Sequence, residues 1–217
     1  MVSHARLNPD PLTVNTALLV FARAPELGRV KTRLAAELGA PLALAIHRYL
    51  GCRLADEVRR LRHHRVIVHY TGNDGAASVE AWLGNDLPLR PQVDGNLGER
   101  MRAAIGAAFA DGVTRVVVVG TDCPSLDSAG IETAFRALDS ADVVLGPATD
   151  GGYYLIGMSR LYPSLFENVP WSSPETLRVT VERARELELS VAMLEERRDV
   201  DTADDWRDWL ARHGVGL

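Results

Sequence analysis

Charged residues gather in a loop that follows the first strongly apolar run of the sequence. Residues 23–33 include Arg23, Lys31 and Arg33 and hold four cations against one acidic residue, in a chain of formal net charge −5. Cations beside the start of a helix suit a phosphate group, because backbone N–H groups face the anion while the side chains neutralise it. The loop matches neither a Walker A motif nor a GxGxxG motif. We predict an anion site here, with a solvated basic loop as the alternative.

Carboxylates mark two further segments. Asp122 follows the valine run 116–119, and Asp201 lies in the acidic segment 199–205. A carboxylate at the end of a central strand is well placed to hold Mg²⁺ or Mn²⁺, which prefer hard oxygen ligands. The alternative for both segments is that Asp122, Ser125 or Asp201 caps the helix that follows. A shared metal requires Asp201 to lie close to Asp122 in space, which sequence spacing does not establish.

A paired-glycine segment and a tryptophan indicate a second substrate. Asp150 precedes Gly151 and Gly152, and paired glycines permit close backbone approach or positive φ. A hairpin turn is the default interpretation, and the adjacent carboxylate and aromatic residues favour an acceptor-binding role. Trp171 is either part of the core or a stacking surface, and core is the commoner fate.

Two more segments have competing interpretations. The glycine-punctuated loop 94–100 leads into a helix, so Gly98 and Glu99 either form a turn or contact a nucleotide. Cys123 has no histidine near it in sequence, which favours a buried structural thiol over a nucleophile.

Alternating strands and helices must position these loops. Continuous apolar runs are typical of strands that are buried on both faces of a parallel sheet. Such runs lie at residues 17–22, 65–70, 115–120, 142–145, 152–157 and 191–194. Helical patterns lie at 32–38, in a long segment that Pro41 opens, and at 79–83, 101–109, 129–138, 175–187 and 204–212. Ligands of open α/β sheets bind beyond the carboxyl ends of the strands, where we expect the loops to meet.

Length and composition restrict the remaining possibilities. The 217 residues suit one domain, which we place at 15–217 after a flexible leader at 1–14. No run approaches the roughly 20 apolar residues of a membrane helix, and the N-terminus lacks a signal-peptide core. Two cysteines cannot build a disulfide framework. Mild acidity argues against nucleic-acid binding. We expect a soluble, cytoplasmic protein that is a monomer or a homodimer.

The motifs together resemble a known family. FARAPELGRVKTRLA, NLGERM, VGTDCPSL, LGPATDGGYYLIG, PWSS and DVDTADD occur in this order. They resemble a bacterial family of GT-A-type, glycosyltransferase-like proteins that includes members associated with radical-SAM and selenium-domain clusters. The resemblance runs from about residue 18 to residue 206. The family is more distantly similar to 2-phospholactate guanylyltransferase and to the molybdenum-cofactor nucleotidyltransferases.

The resemblance implies a fold and site residues. The fold is an α/β, GT-A (nucleotide-diphospho-sugar transferase) domain, a Rossmann-like three-layer sandwich with a mostly parallel mixed sheet. The implied site comprises Arg23, Lys31 and Arg33 for the donor phosphates, Asp122 and Asp201 for the metal, and Asp150, Gly151 and Gly152 for the acceptor. The GT-A hallmark Asp-x-Asp is reduced here to Thr121-Asp122-Cys123, with a single acid.

These assignments predict a metal-dependent transferase that uses a nucleotide-activated donor. Mg²⁺ or Mn²⁺ on Asp122 and Asp201 would neutralise the leaving group together with Lys31, and Asp150 would orient the acceptor or act as base. Glycosyl transfer to a small-molecule acceptor is the leading hypothesis. The alternatives are nucleotidyl transfer with release of pyrophosphate, and a nucleotide-binding module that has lost its chemistry.

Overall fold

A computed structural model describes residues 15–72 and 75–213, so the leader predicted at 1–14 lies outside the described residues. The strands are β1 Thr16–Arg23, β2 Arg65–Thr71, β3 Leu89–Pro91, β4 Arg115–Gly120, β5 Val143–Pro147, β6 Tyr153–Met158 and β7 Val191–Met193. The helices are α1 Thr32–Leu38, α2 Ala40–Val58, α3 Gly75–Leu83, α4 Leu97–Ala110, α5 Ser128–Ala137, α6 Thr176–Glu186 and α7 Ala203–His213, with a 3₁₀ turn at Pro163–Phe166.

The seven strands form one mixed sheet in the order β3-β2-β1-β4-β6-β5-β7. β1 pairs in parallel with β2 and β4, and the β2–β3 and β5–β7 pairs are also parallel. β6 runs antiparallel to both of its neighbours, β4 and β5. The predicted mostly parallel mixed sheet is therefore confirmed.

Helices cover both faces of this sheet because the central strands are apolar on both sides. Leu18 and Val20 of β1 pack into a core with α2, α3 and α5. Ala17 and Leu19 face the opposite way and join a core with α4 and the 3₁₀ turn. This alternation of side chains along a strand produces the three layers.

A third apolar cluster lies beside the sheet and holds a loop in place. Leu34 of α1 and Leu50 of α2 pack with Val200 and with Trp209 of α7. The segment that leads into α7 is thereby fastened against the helices that follow β1.

The structure adds two elements to those predicted. β3 has only three residues and ends in a proline, so it offers no alternation to detect. The 3₁₀ turn at Pro163–Phe166 is equally short. α4 also begins earlier than the predicted residue 101, because Asn96 and Glu99 close a capping box at its N-terminus. No described helix is both long enough and apolar enough to cross a lipid bilayer.

Candidate active site

A cleft of about 640 Å³ lies beyond the carboxyl ends of β1 and β4. Most of the side chains predicted for the site line it, although they come from loops far apart in sequence. The predicted residues along its wall are Arg23, Lys31, Arg33, Asp122, Asp150, Gly152, Trp171 and Asp201.

Lys31 joins the two predicted metal ligands. Its Nζ lies 2.9 Å from Oδ1 of Asp122 and 2.9 Å from Oδ1 of Asp201. The same ammonium donates to the carbonyl oxygen of Val200 at 2.6 Å. The Lys31 side chain is only 4% exposed, whereas the Asp122 and Asp201 side chains are 40% and 39% exposed. Asp122 and Asp201 are thus adjacent in space, as a shared cation site requires.

Local backbone geometry produces this arrangement. Lys31 precedes α1 with φ 47° and ψ 48°, in the left-handed region that non-glycine residues seldom occupy. The backbone N–H of Val200 donates to the carbonyl of Asp122 at 2.9 Å, which ties the two acidic loops together. Val200 is itself buried in the third apolar cluster, so packing fixes the position of Asp201.

Helix capping does not account for Asp122 or Asp201. Asp127 is the N-cap residue of α5, and its side chain accepts from the N–H of Gly130 at 2.9 Å. Thr202 and Asp205 exchange capping bonds at the start of α7. The capping alternative is therefore wrong for Asp122 and Asp201.

The charges of the cluster shift its pKa values. Burial alone would lower the pKa of Lys31, but Asp122 and Asp201 outweigh burial and raise it. Burial alone would raise the pKa of Asp122, but the charge and hydrogen bond of Lys31, together with His47 and Thr121, outweigh burial and lower it. Burial, with repulsion from Asp122 and Asp201, raises the pKa of Asp199 to about 8. The protonated form of Asp199 is therefore favoured at neutral pH.

The paired glycines allow two loops to touch. Gly151 has φ 86°, and a Cβ placed there would lie 2.1 Å from the carbonyl oxygen of Pro174. Its own carbonyl accepts from the N–H of Leu177 at 2.9 Å. Oδ1 of Asp150 accepts from the N–H of Gly152 at 2.9 Å, which orients that carboxylate in the wall of the cleft. The structure thus shows both properties expected of the glycine pair.

Trp171 combines the two interpretations of its role. Its ring packs edge-on to Tyr153 and is stacked near Phe166, with centroids 6.5 and 6.4 Å away. Trp171 also lines the cleft. Core packing therefore holds an aromatic surface where a ligand can reach it.

Gly98, Glu99 and Gly151 do not line the cleft. Gly98 is buried against the indole of Trp171, and Glu99 accepts from the backbone N–H of Asn96 in the capping box. α4 reaches the cleft instead through Leu97 and Arg100. Gly98 and Glu99 lie on a different face of α4 from Leu97 and Arg100, so the nucleotide contacts predicted for them are corrected.

Several residues of the cleft were not predicted. Asp199 lines it, and an acid two positions before a predicted metal ligand was the available signal. Arg100 lies in the NLGERM segment, three residues after Leu97 and therefore on the same helical face. His47 donates from Nε2 to the carbonyl of Arg23 at 2.9 Å, and burial lowers its pKa. No sequence pattern indicates the contribution of His47.

Cys123 has the properties of a structural thiol. It is buried, and burial raises its pKa to about 12. A thiol with this pKa stays protonated and is a poor nucleophile. The predicted inert role of Cys123 is confirmed.

The carboxylates of the cleft suit a divalent ion whose remaining ligands come from a substrate. Among the described residues, no group of three or more His, Cys, Asp or Glu side chains is arranged as a metal site. Asp122 and Asp201 nevertheless both contact the ammonium of Lys31. Oδ1 of Asp199 is buried with no hydrogen-bond partner in the described chain. Mg²⁺ is commonly held by one or two carboxylates plus substrate phosphates.

Residues 54–173 match the model of a protein family described as "Uncharacterized protein conserved in bacteria (DUF2064)". The match spans more than half of the chain. The chain belongs to this family. No curated protein has a matching sequence.

The structure is similar to a candidate nucleotide-diphospho-sugar transferase from Desulfovibrio desulfuricans G20. The two chains share 33% identity with a TM-score of 0.87, over 92% of this DUF2064 chain and 87% of the other. This likeness confirms the predicted GT-A-type fold. The predicted links to radical-SAM and selenium-domain clusters and to guanylyltransferases have no counterpart in these matches.

Two more distant structures share the fold. A CMP:2-keto-3-deoxy-manno-octonic acid synthetase complexed with CTP has a TM-score of 0.62 and 12% identity, over 94% of this chain and all of the other. Rv0371c from Mycobacterium tuberculosis H37Rv, in complex with manganese, has a TM-score of 0.55 and 19% identity, over 90% and 97% of the chains. The neighbours thus include a nucleotide-bound synthetase and a manganese-bound protein.

Proposed function

We propose that this DUF2064 protein is a metal-dependent transferase that takes a group from a nucleotide-activated donor. One observation carries the proposal. Cations from the loop after β1 and carboxylates from the loops after β4 and before α7 converge on a single cleft at the carboxyl edge of the sheet. This is where ligands of open α/β folds bind. The name of the Desulfovibrio relative supports a nucleotide-sugar as donor.

The cleft divides into a donor side and an acceptor side. Arg23 and Arg33 are exposed cations on the donor side and would bind the phosphates. Asp122 and Asp201 would hold Mg²⁺ or Mn²⁺, which when bound neutralises charge on the departing nucleotide. Lys31 links both carboxylates and would contribute positive charge to the same phosphates.

The acceptor side is built around Asp150 and Trp171. Asp150 is held in the wall by the bond from Gly152, at a position suited to orient an acceptor hydroxyl or to accept its proton. Trp171 offers a flat apolar surface on which a sugar or another small molecule can lie. We therefore favour transfer of a sugar to a small-molecule acceptor.

A second reaction is favoured by one specific feature. Asp122 has no second acid two residues away, because Gly120 and Pro124 stand at those positions, and the second carboxylate comes from Asp201, late in the chain. The resemblance to nucleotidyltransferases implies that arrangement. In this reaction the α-phosphorus is attacked and pyrophosphate leaves, so the same cations would serve it.

A thermal-shift screen of the full chain tests the proposal. Nucleotide-sugars and NTPs, with GTP first among the NTPs, are compared with and without Mn²⁺. A donor held at about 100 times its Kd adds about 2.7 kcal/mol of stability, which is about 5–11 °C for a domain of this size. If no nucleotide raises the Tm, the proposal is wrong. Release of a nucleoside diphosphate or of pyrophosphate then separates the two reactions, and binding without product indicates a module that has lost its chemistry.

Two matched variants test the metal ligand. Asp122→Asn removes a proposed ligand, whereas Asp127→Asn removes the same charge five residues later and keeps a good N-cap. We expect Asp122→Asn to lose the Mn²⁺-dependent part of the shift and Asp127→Asn to retain it. Equal Mn²⁺-dependent shifts in both variants would sink the assignment of Asp122.

A further inference from the structure

Lys31 is the sole lysine of the chain; every other Lys or Arg position is arginine. An ammonium group has three N–H donors and no acceptor. In this structure three oxygens lie within 2.9 Å of Nζ, from Asp122, Asp201 and Val200. All three donors are therefore used inside the protein, and the side chain is 4% exposed.

A saturated, buried ammonium cannot bind a donor phosphate where it stands. Each phosphate oxygen that it contacts must replace one of its present acceptors. The role that we propose for Lys31 in phosphate binding therefore requires the side chain to leave at least one carboxylate. Its flexible four-carbon stem permits that movement, since Lys31 already lies in the wall of the cleft.

The position that Lys31 would leave is the one proposed for the metal. Mg²⁺ binds carboxylate oxygens at about 2.1 Å, closer than the ammonium does. If the ammonium and the metal ion shared the Oδ1 atoms of Asp122 and Asp201, the two cations would lie within a few ångströms of each other. At that distance they repel strongly. The ammonium and a divalent ion thus compete for one pair of carboxylates.

We propose that Lys31 is a tethered cation that holds the metal position of the empty enzyme and yields it when metal arrives with the nucleotide. Once displaced, the ammonium binds the phosphates that accompany the ion. Lys31 also keeps Asp122 and Asp201 together before substrate binds. This inference rests on the proposed function, and it predicts weak binding of metal alone and tight binding of metal with nucleotide.

Titration with Mn²⁺ in the absence of nucleotide, followed by electron paramagnetic resonance, tests the competition. The variants are Lys31→Gln and, as a control, Arg29→Gln, which removes an exposed positive charge from the same loop. We expect Lys31→Gln to bind Mn²⁺ about tenfold more tightly than wild type, which corresponds to about 1.4 kcal/mol. Arg29→Gln should stay within about twofold. A folded Lys31→Gln that binds Mn²⁺ no more tightly than wild type overturns the inference.

A second measurement uses the wild-type chain and does not depend on the variant folding. An amine-reactive reagent labels exposed lysines, and peptide mapping by mass spectrometry separates Lys31 from the N-terminal amine. We expect Lys31 to be labelled slowly in the protein without ligands and faster in millimolar Mn²⁺. Adding a donor nucleotide together with Mn²⁺ should protect it again. Labelling of Lys31 that does not change with Mn²⁺ overturns the inference.

The two proposals fail in different ways. If no nucleotide stabilises the wild-type protein, the transferase proposal fails even where Lys31→Gln tightens metal binding. If nucleotides bind with Mn²⁺ but Lys31 neither competes with the metal nor changes its labelling, the transferase proposal stands and the tethered cation is rejected.

Discussion

Replacing Gly151 by alanine tests whether the contact between the Asp150 turn and the loop before α6 supports the structure. Backbone strain and steric overlap would both lower the free energy of unfolding at this position. The backbone has φ 86°, in a region that costs an L-residue about 1–2 kcal/mol. The new Cβ would also lie 2.1 Å from the carbonyl oxygen of Pro174, and relieving such overpacking costs about 1–3 kcal/mol.

Gly28 offers a matched control because it shares one cost and not the other. Its φ is 73°, but no atom lies within 4 Å of a Cβ built there. Gly28→Ala should therefore cost only the backbone strain, about 1 kcal/mol. Gly151→Ala should cost about 3 kcal/mol, and the difference between the variants isolates the steric contact with Pro174.

Urea denaturation and thermal melting measure both variants. For a domain of this size, 1 kcal/mol corresponds to about 2–4 °C in Tm. We expect Gly151→Ala to melt about 6–12 °C below wild type and Gly28→Ala about 2–4 °C below. If the two free energies of unfolding agree within about 0.5 kcal/mol, the close approach of Gly151 to Pro174 is not a significant constraint.

Two further predictions concern residues outside the cleft. Bonds from Ser190 and Tyr162 lower the pKa of Asp142 from 3.8 to about 2, so its stabilising effect is present above pH 3.8 and is lost as the pH falls through 2. Asp142→Ala should cost about 1 kcal/mol at pH 7, after allowance for solvent exposure, and the difference from wild type should shrink in acid unfolding below pH 3. Ellman's reagent should react with Cys52, which is exposed, and should react with Cys123 only on unfolding. Two rapidly reacting thiols in the native protein would contradict the burial of Cys123.

Patterns within the sequence predict the architecture and the chemistry of the separate loops. Apolar runs long enough to span a sheet predict the strands, and the charged or glycine-rich segments between them predict where ligands approach. Short elements escaped detection: β3 has three residues, too few for alternation to appear. In the NLGERM segment, spacing by three places Arg100, and not Glu99, on the same helical face as Leu97.

How the loops combine depends on the packing of the folded chain. Lys31 and Asp201 are 170 residues apart in sequence, and their contact depends on the packing of Val200 beneath α1 and α2. The raised pKa of Asp199 depends on burial and on repulsion from Asp122, which lies in a different loop. Local patterns report which residue types are present and which face of an element they occupy. Distances between side chains on separate elements arise from packing, and packing places a lysine between the two acids that were predicted to share a metal.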